Sequence, residues 1–225
     1  MCGRFTDQYT RRELHALYML SIGFEENTDW TPKFNVAPTD PVPVIINENG
    51  VRKCQLMRWG LVPSWAKEIG GFSTFNARDD GLRTKPMFRG AWQSGRRCII
   101  AASSFFEWRK PDKQPFAIAL GNKGPLALAG LWDEWRPRGG GAPLRSCTII
   151  TCAPNALLAP LHDRMPVILG EEDWPRWLGE EPADESEIFA LVKPFAAERM
   201  TLWPVGKEVG NVKNQGADLI AALKT

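Results

Sequence analysis

Residues 97–151 read RCIIAASSFFEWRKPDKQPFAIALGNKGPLALAGLWDEWRPRGGGAPLRSCTIIT, and the fold class turns on this stretch. It holds four short apolar runs, Arg97–Ala101, Pro115–Leu120, Leu126–Trp132 and Arg145–Thr151, several of them rich in β-branched or aromatic residues. Each is bounded by Gly, Pro, Asp or Ser and is short enough for a strand. The segment Pro137–Pro143 (PRGGGAP) separates the last two runs and is expected to be a mobile hairpin tip rather than a domain boundary. Upstream, Val42–Ile46 and Val51–Trp59 read as two further strands. Helices are expected at the ends of the chain. Thr10-Arg11-Arg12-Glu13 is a capping-box pattern ahead of ELHALYML, and Glu171–Leu178, Asp184–Val192 and Ala217–Leu223 are further candidates. Strands in the middle and helices outside predict an α+β fold with a mostly antiparallel, sandwich- or barrel-like β core and flanking helices. With 225 residues and no repeat or long polar linker, one domain over 1–225 is expected.

Composition removes several classes. Hydrophobic residues make up 44% of the chain, too many for disorder, and 20 Gly and 18 Pro fall in no period, which excludes a collagen-like chain. The longest charge-free run, Ser146–Leu161, is interrupted by Pro154, Asn155 and Pro160 and is unsuited to span a bilayer. The first residues, MCGRFTDQYTRREL, carry Asp7 and Glu13 and lack the apolar core of a signal peptide. Five cysteines, at 2, 54, 98, 147 and 152, make an odd number without a C-x-x-C pair; on a strand, Cys147 and Cys152 would face opposite ways. With only two His, a zinc cluster is not expected. The reading is a reduced, intracellular, cytoplasmic monomer that needs no metal, no cofactor and no membrane.

The net charge of +2 hides an uneven distribution. Arg78, Arg83, Lys85, Arg89, Arg96 and Arg97 stand against only Asp79 and Asp80, whereas residues 171–187 are strongly acidic. A basic face of this kind suits a polyanion, although two ordinary solvated faces would give the same pattern. Ten Trp against two Tyr add stacking surface.

Cys2 follows Met1 directly, and removal of Met would place an α-amine (pKa ~8) and a thiol (pKa ~8.5) on one residue. Two chemistries are open to such a 1,2-aminothiol. In one, the amine acts as base for the thiol in acyl transfer. In the other, it condenses with an aldehyde to a Schiff base, which the thiol closes to a thiazolidine.

Five blocks then set a resemblance: MCGRF at the start, FNAR at Phe75–Arg78, FFEW at Phe105–Trp108, LHDRMP at Leu161–Pro166 and GNVKNQGADLI near the end. In this order they resemble the SOS response-associated peptidase (SRAP) family, the abasic-site processing proteins, from residue 2 to about residue 220. The chain departs from the family pattern in Asp79-Asp80 after FNAR and in Ser103-Ser104 before FFEW. The resemblance implies capture of abasic sites in single-stranded DNA through a thiazolidine on Cys2. It implies that Asn76 hydrogen-bonds the sugar or adduct, that Glu107 is a general acid/base, and that His162 promotes ring opening and the reverse reaction. Arg4, Arg78 and Arg164 would hold phosphates. AP-lyase and self-processing peptidase activity are associated possibilities.

The residue types fit that chemistry. Imine formation needs a helper that protonates a departing hydroxyl, and a carboxyl or an imidazole can do so. Glu107 lies between Phe106 and Trp108, although strand alternation alone would turn it to water. His15, inside the first helix, reads as structural. For DNA, Trp65 in a Pro-Ser loop, with Met87 and Phe88, offers stacking or wedging surface, and Trp59 divides evenly between core and contact. No base-reading motif is present, so binding should be sequence-tolerant and salt-dependent. The rival reading is an N-terminal-nucleophile glutamine amidotransferase, which also begins Met-Cys-Gly but has an apolar residue where this chain has Arg4.

Overall fold

The chain enters a sheet at once with β1 (Phe5–Asp7), then forms α1 (Arg11–Leu17), β2 (Lys33–Val36), β3 (Pro41–Glu48), β4 (Val51–Trp59) and β5 (Asn76–Arg78). There follow α2 (Pro86–Gln93), β6 (Arg97–Ala102), β7 (Ser104–Trp108), β8 (Pro115–Leu120), β9 (Leu126–Trp135) and β10 (Leu144–Cys152). The last elements are β11 (Met165–Pro166), α3 (Trp174–Leu178), α4 (Glu185–Ala190) and β12 (Met200–Pro204). The structure, a computed structural model, describes residues 2–21, 31–70 and 73–223.

The expected hairpin is present. β9 and β10 pair antiparallel from Leu144↔Trp135 to Ile149↔Gly130, with 137–143 as the tip. β10 is also the seam of a closed ring: β4 runs parallel to it at Ser146↔Arg58 and Cys147↔Trp59, and β4–β3–β6–β9 returns to it through antiparallel pairs. Closure leaves small residues where the strands crowd. A Cβ on Gly130 would lie 2.2 Å from Ile100 Cδ1 and 2.7 Å from the Thr148 carbonyl oxygen. Beyond β4, the same edge of β10 takes β5, again in parallel, with Ile149 level with Asn76. The second sheet runs β12-β8-β7-β1-β2 and is antiparallel throughout. The α+β expectation with a mostly antiparallel, barrel-like core therefore holds.

Local sequence explains the helices, with corrections. Thr10 and Glu13 form the capping box expected for α1, but the helix stops at Leu17 and Met19 adopts a left-handed φ of 49°. Asp184 and Glu187 form a second box, at α4. The Glu171–Leu178 segment splits into a 3-10 turn and a short helix ended by Gly179 at φ 75°. At the last expected helix only a 3-10 turn, Ala217–Ile220, forms. There the Trp203 indole takes the Ile220 carbonyl at 2.8 Å, and Leu223 N–H donates to Pro204 O at 3.0 Å, which draws the chain out beside β12. α2 was not anticipated; its interior Gly90 dilutes the pattern, while Pro86 opens it without needing a donor.

Asp7 is buried inside β1. Its Oδ1 accepts the Tyr9 N–H at 3.3 Å, and Oδ2 has no hydrogen-bond partner among the described residues. Burial pushes its carboxyl up to about 8. An acid with a folded pKa above its unfolded value (~3.9) loses its proton first in the unfolded chain, so stability should fall as pH rises from about 4 to about 8. Asp7→Asn should therefore melt higher than wild type at pH 8, by the equivalent of about 1–3 kcal/mol, and the gap should close towards pH 5. Thermal melts at both pH values check this; a gap independent of pH would show that Asp7 carries no such proton.

Candidate active site

β1 brings residue 2 into the molecule. Phe5 pairs with Phe105 and Thr6 with Ser104 on β7, and the Phe106 N–H donates to Arg4 O at 2.9 Å. Continuing that register sets Gly3 level with Glu107. Ser103 and Ser104, where the sequence departs from the family pattern, put both hydroxyls on Thr6 Oγ1, at 2.8 and 2.7 Å. They lock β1 to the start of β7.

Asn76 arrives from β5. Its position is fixed by Trp59, which is fully buried, donates its indole N–H to Phe75 O at 2.8 Å, and packs on both Phe5 and Phe75. Trp59 is thus a core residue. Asn76 Nδ2 donates to Cys2 O at 2.9 Å, while its Oδ1 is buried with no hydrogen-bond partner among the described residues. One acceptor stands open beside residue 2.

Glu107 is 4% exposed, not turned to water. Alternation fails here because β7 is covered on both faces, with Phe105 in the main core and Phe106 in a second cluster with Val205 and Val209. The Trp108 N–H donates to Glu107 Oε1 at 3.2 Å. The Cys2 thiol is fully buried; burial first and the nearby Glu107 carboxylate second push it up, while the Arg4 N–H facing the sulfur works against them. His162 accepts the Arg164 N–H on Nδ1 at 3.0 Å, and the same nitrogen lies 2.7 Å from Asp163 Oδ1. Burial lowers its pKa, opposed by the Glu107 charge. Through these contacts and fields Cys2, Asn76, Glu107 and His162 form one group.

The arginines separate. Arg4 is a tie: Nη1 donates to Asn35 Oδ1 at 3.0 Å and Val209 O at 2.8 Å, and Nη2 to Gly210 O at 3.2 Å. Arg164 turns inward to Asp79 Oδ1 at 2.6 Å and to the Thr151 carbonyl. Arg78, at the end of β5, is exposed and makes no ion pair among the described residues. Trp65 is 54% exposed and donates to Pro86 O at 3.2 Å, and with Arg89 and Gly90 it lines a cleft of about 420 Å³. Met87 is half-buried on α2, whereas Phe88 is turned into the core and has no surface to offer a base. His15 is exposed in the last turn of α1.

Three positioning residues escaped the sequence reading. Asn35 donates to the carbonyls of Asn211 and Asn214 at 3.0 and 3.1 Å, and Gln215 Oε1 accepts the Phe34 and Asn35 N–H groups at 3.0 and 3.2 Å. These bonds seat the GNVKNQG block on the edge of β2, next to Arg4. Thr151, the third, receives Arg164 and lies level with Arg78 on β10. The GNVKNQG block contains Gln215, whereas nothing in the sequence around Asn35 marks it.

A two-sheet α+β domain with a polar group assembled around residue 2 defines the class, and sequence relationships agree. The SOS response associated peptidase (SRAP) family matches residues 1–212, so the chain belongs to that family. Similar proteins include the abasic site processing protein YoqW of Bacillus subtilis (strain 168), 38% identical over 224 residues with 98% of this chain and 99% of that protein covered. Another is the abasic site processing protein YedK of Escherichia coli (strain K12), 33% identical over 227 residues, covering 98% of this chain and 99% of that one. The abasic site processing protein HMCES of Xenopus tropicalis is 31% identical over 230 residues, covering 88% of this chain and 68% of that one. A crystal structure of a Bacteroides thetaiotaomicron protein shares the fold at a TM-score of 0.86 and 24% identity, with 99% of this chain and 100% of that one covered.

The two outer arginines of the site should behave differently. Arg164→Ala removes the bonds to Asp79 and to the carbonyl of buried Thr151 and should cost about 1–2 kcal/mol, whereas exposed Arg78→Ala should leave the melting temperature within about 1 °C. Denaturant titration of both variants checks the contrast, and equal stability would return Arg164 to the surface role first expected of it.

Proposed function

We propose that the protein captures abasic sites in single-stranded DNA by forming a thiazolidine on Cys2, with the same side chains able to reverse it. The observation that carries this reading is the joining of buried Cys2, Asn76 and Glu107 with partly buried His162 in one group, in a family whose similar members are named abasic site processing proteins. With Met1 removed, the Cys2 α-ammonium passes a proton to the Glu107 carboxylate, and the free amine attacks the C1′ aldehyde of the ring-opened deoxyribose to give a carbinolamine. Loss of water, with the hydroxyl protonated by Glu107 acting as general acid, gives the iminium. The thiol then adds to the C=N carbon and its proton passes to Glu107, so the net change is one water released. Asn76 offers its open Oδ1 to a sugar hydroxyl. His162, neutral near pH 7 and bearing its hydrogen on Nε2 when Nδ1 accepts from Arg164, serves ring opening and return.

Exposed Arg78, with Arg89 and Trp65 beside the α2 cleft, supplies phosphate and base contacts, and binding is sequence-tolerant. Arg4 and Arg164 act on the site by holding its frame. AP-lyase and self-processing peptidase steps would use the same iminium and the same residue 2. An amidotransferase reading gives no account of the FNAR, FFEW and LHDRMP blocks.

Wild-type protein should form a denaturation-resistant adduct with abasic single-stranded DNA whose intact mass equals both partners less one water. Cys2→Ala should form none, and protein that keeps Met1 should be inactive; stable crosslinking by either would overturn the mechanism. Glu107→Gln should slow single-turnover crosslinking by about 10²-fold. His162→Ala should chiefly slow transfer of a preformed crosslink to competitor DNA, and release at the wild-type rate would leave that imidazole no part in reversal.

A further inference from the structure

Asp163 is a residue that the proposed chemistry leaves idle, yet one of its oxygens lies against two basic side chains. Oδ1 lies 2.7 Å from His162 Nδ1 and 3.5 Å from Lys110 Nζ. Lys110 stands on the turn between β7 and β8, just past Glu107, and it and Asp163 are 57% and 63% exposed at the side chain, against 18% for His162. Arg109, its neighbour, is occupied by Asp112 at 3.0 Å and does not compete. The charged groups acting on the imidazole are Glu107 from β7, the amino terminus, Asp163 from its own loop and Lys110 from the turn. The Nδ1 contacts also oppose each other. The Arg164 N–H needs a lone pair there and holds the ring neutral, whereas Asp163 needs an N–H there and favours the charged ring.

We propose that Asp163 is a positioning residue whose carboxylate is shared between His162 and Lys110, and that a DNA phosphate engaging Lys110 leaves it wholly to His162. The second half rests on the single-stranded DNA reading above; the first does not. A phosphodiester is the natural partner of an exposed lysine at the mouth of such a site. Once Lys110 turns to the phosphate, the imidazole takes a proton from solvent and donates Nδ1–H to Asp163. DNA arrival thereby charges the acid that the sugar ring oxygen requires.

The chain holds two His, so imidazole NMR resolves His162, with exposed His15 as an internal reference. In DNA-free protein at low salt, Asp163→Asn should lower the His162 titration midpoint by about 0.5 pH unit, and Lys110→Met should raise it by about 0.3, with His15 unmoved. In the Asp163→Asn background the Lys110→Met shift should fall to about half or less. An unmoved midpoint in Asp163→Asn, or an equal Lys110→Met shift in both backgrounds, overturns the sharing. Saturating undamaged oligothymidylate should raise the midpoint further in wild type than in Lys110→Met. Equal rises would be the field of the phosphates alone and would overturn the second half. Failure of the oligonucleotide to bind would reject the DNA reading and with it that half, leaving the shared carboxylate to the DNA-free result.

Discussion

The site depends on β1 being held on both edges. A strand of three residues has few ladder bonds of its own, and Phe5, Thr6 and Asp7 are nevertheless all buried, between β2 and β7. Burial of Phe5 supplies about 2–3 kcal/mol, and it does so against Trp59, the side chain that also fixes Phe75 and hence Asn76. The Thr6–Ser103–Ser104 hydroxyl cluster adds direction to that adhesion by pinning the register against β7. A slip of one residue would turn Glu107 away and carry Cys2 out of reach of Asn76. Site geometry is therefore inherited from the core.

The cations follow the same logic. Arg4 lies two residues from Cys2, and three of its hydrogen bonds go to Asn35 and to the carbonyls of Val209 and Gly210. It joins β1 to the segment that packs over Phe106. Arg164 fixes the turn after β5 through Asp79 and the end of β10 through Thr151. Both turn donors into the protein, whereas the cations from β5 through α2, Arg78, Arg83, Lys85 and Arg89, are all exposed. Of these, Arg83 is paired with Glu185 at 2.9 Å.

Strands such as β4 and the β9–β10 hairpin were legible because their apolar runs end in Gly and Pro, and the capping box of α1 because its signal is local. β7 was hidden. FFEW has no polar alternation, since both faces of that strand are covered, and this is also why Glu107 reads as exposed and proves buried. Ring closure through β10 was illegible for another reason: parallel pairing of Ser146 with Arg58 leaves no trace in either segment's composition. Cys2, Asn76, Glu107 and His162 were legible as a set only through the order of the family blocks. Chemistry alone singled out Cys2, and neither Asn76 nor the clamp of Asn35 and Gln215 carries a pattern that sequence reasoning can weigh.

Burial also orders the proposed chemistry. All five cysteine thiols are buried and pushed up, so burial by itself distinguishes none of them. Cys2 differs in its neighbours: the Glu107 carboxylate, the Arg4 N–H and the bond from Asn76. A thiol held neutral is a poor nucleophile and cannot lead the attack. In the proposed mechanism the amine leads and, as an iminium, puts a positive charge on the residue that carries the sulfur. That charge removes the electrostatic penalty that Glu107 imposes on the thiolate and raises the electrophilicity of the carbon the sulfur must reach. The same carboxylate that keeps the thiol protonated at rest is then the base that receives its proton. On the proposed mechanism, reactivity at Cys2 is in this way conditional on an aldehyde already bound, so other electrophiles meet only a buried, neutral thiol.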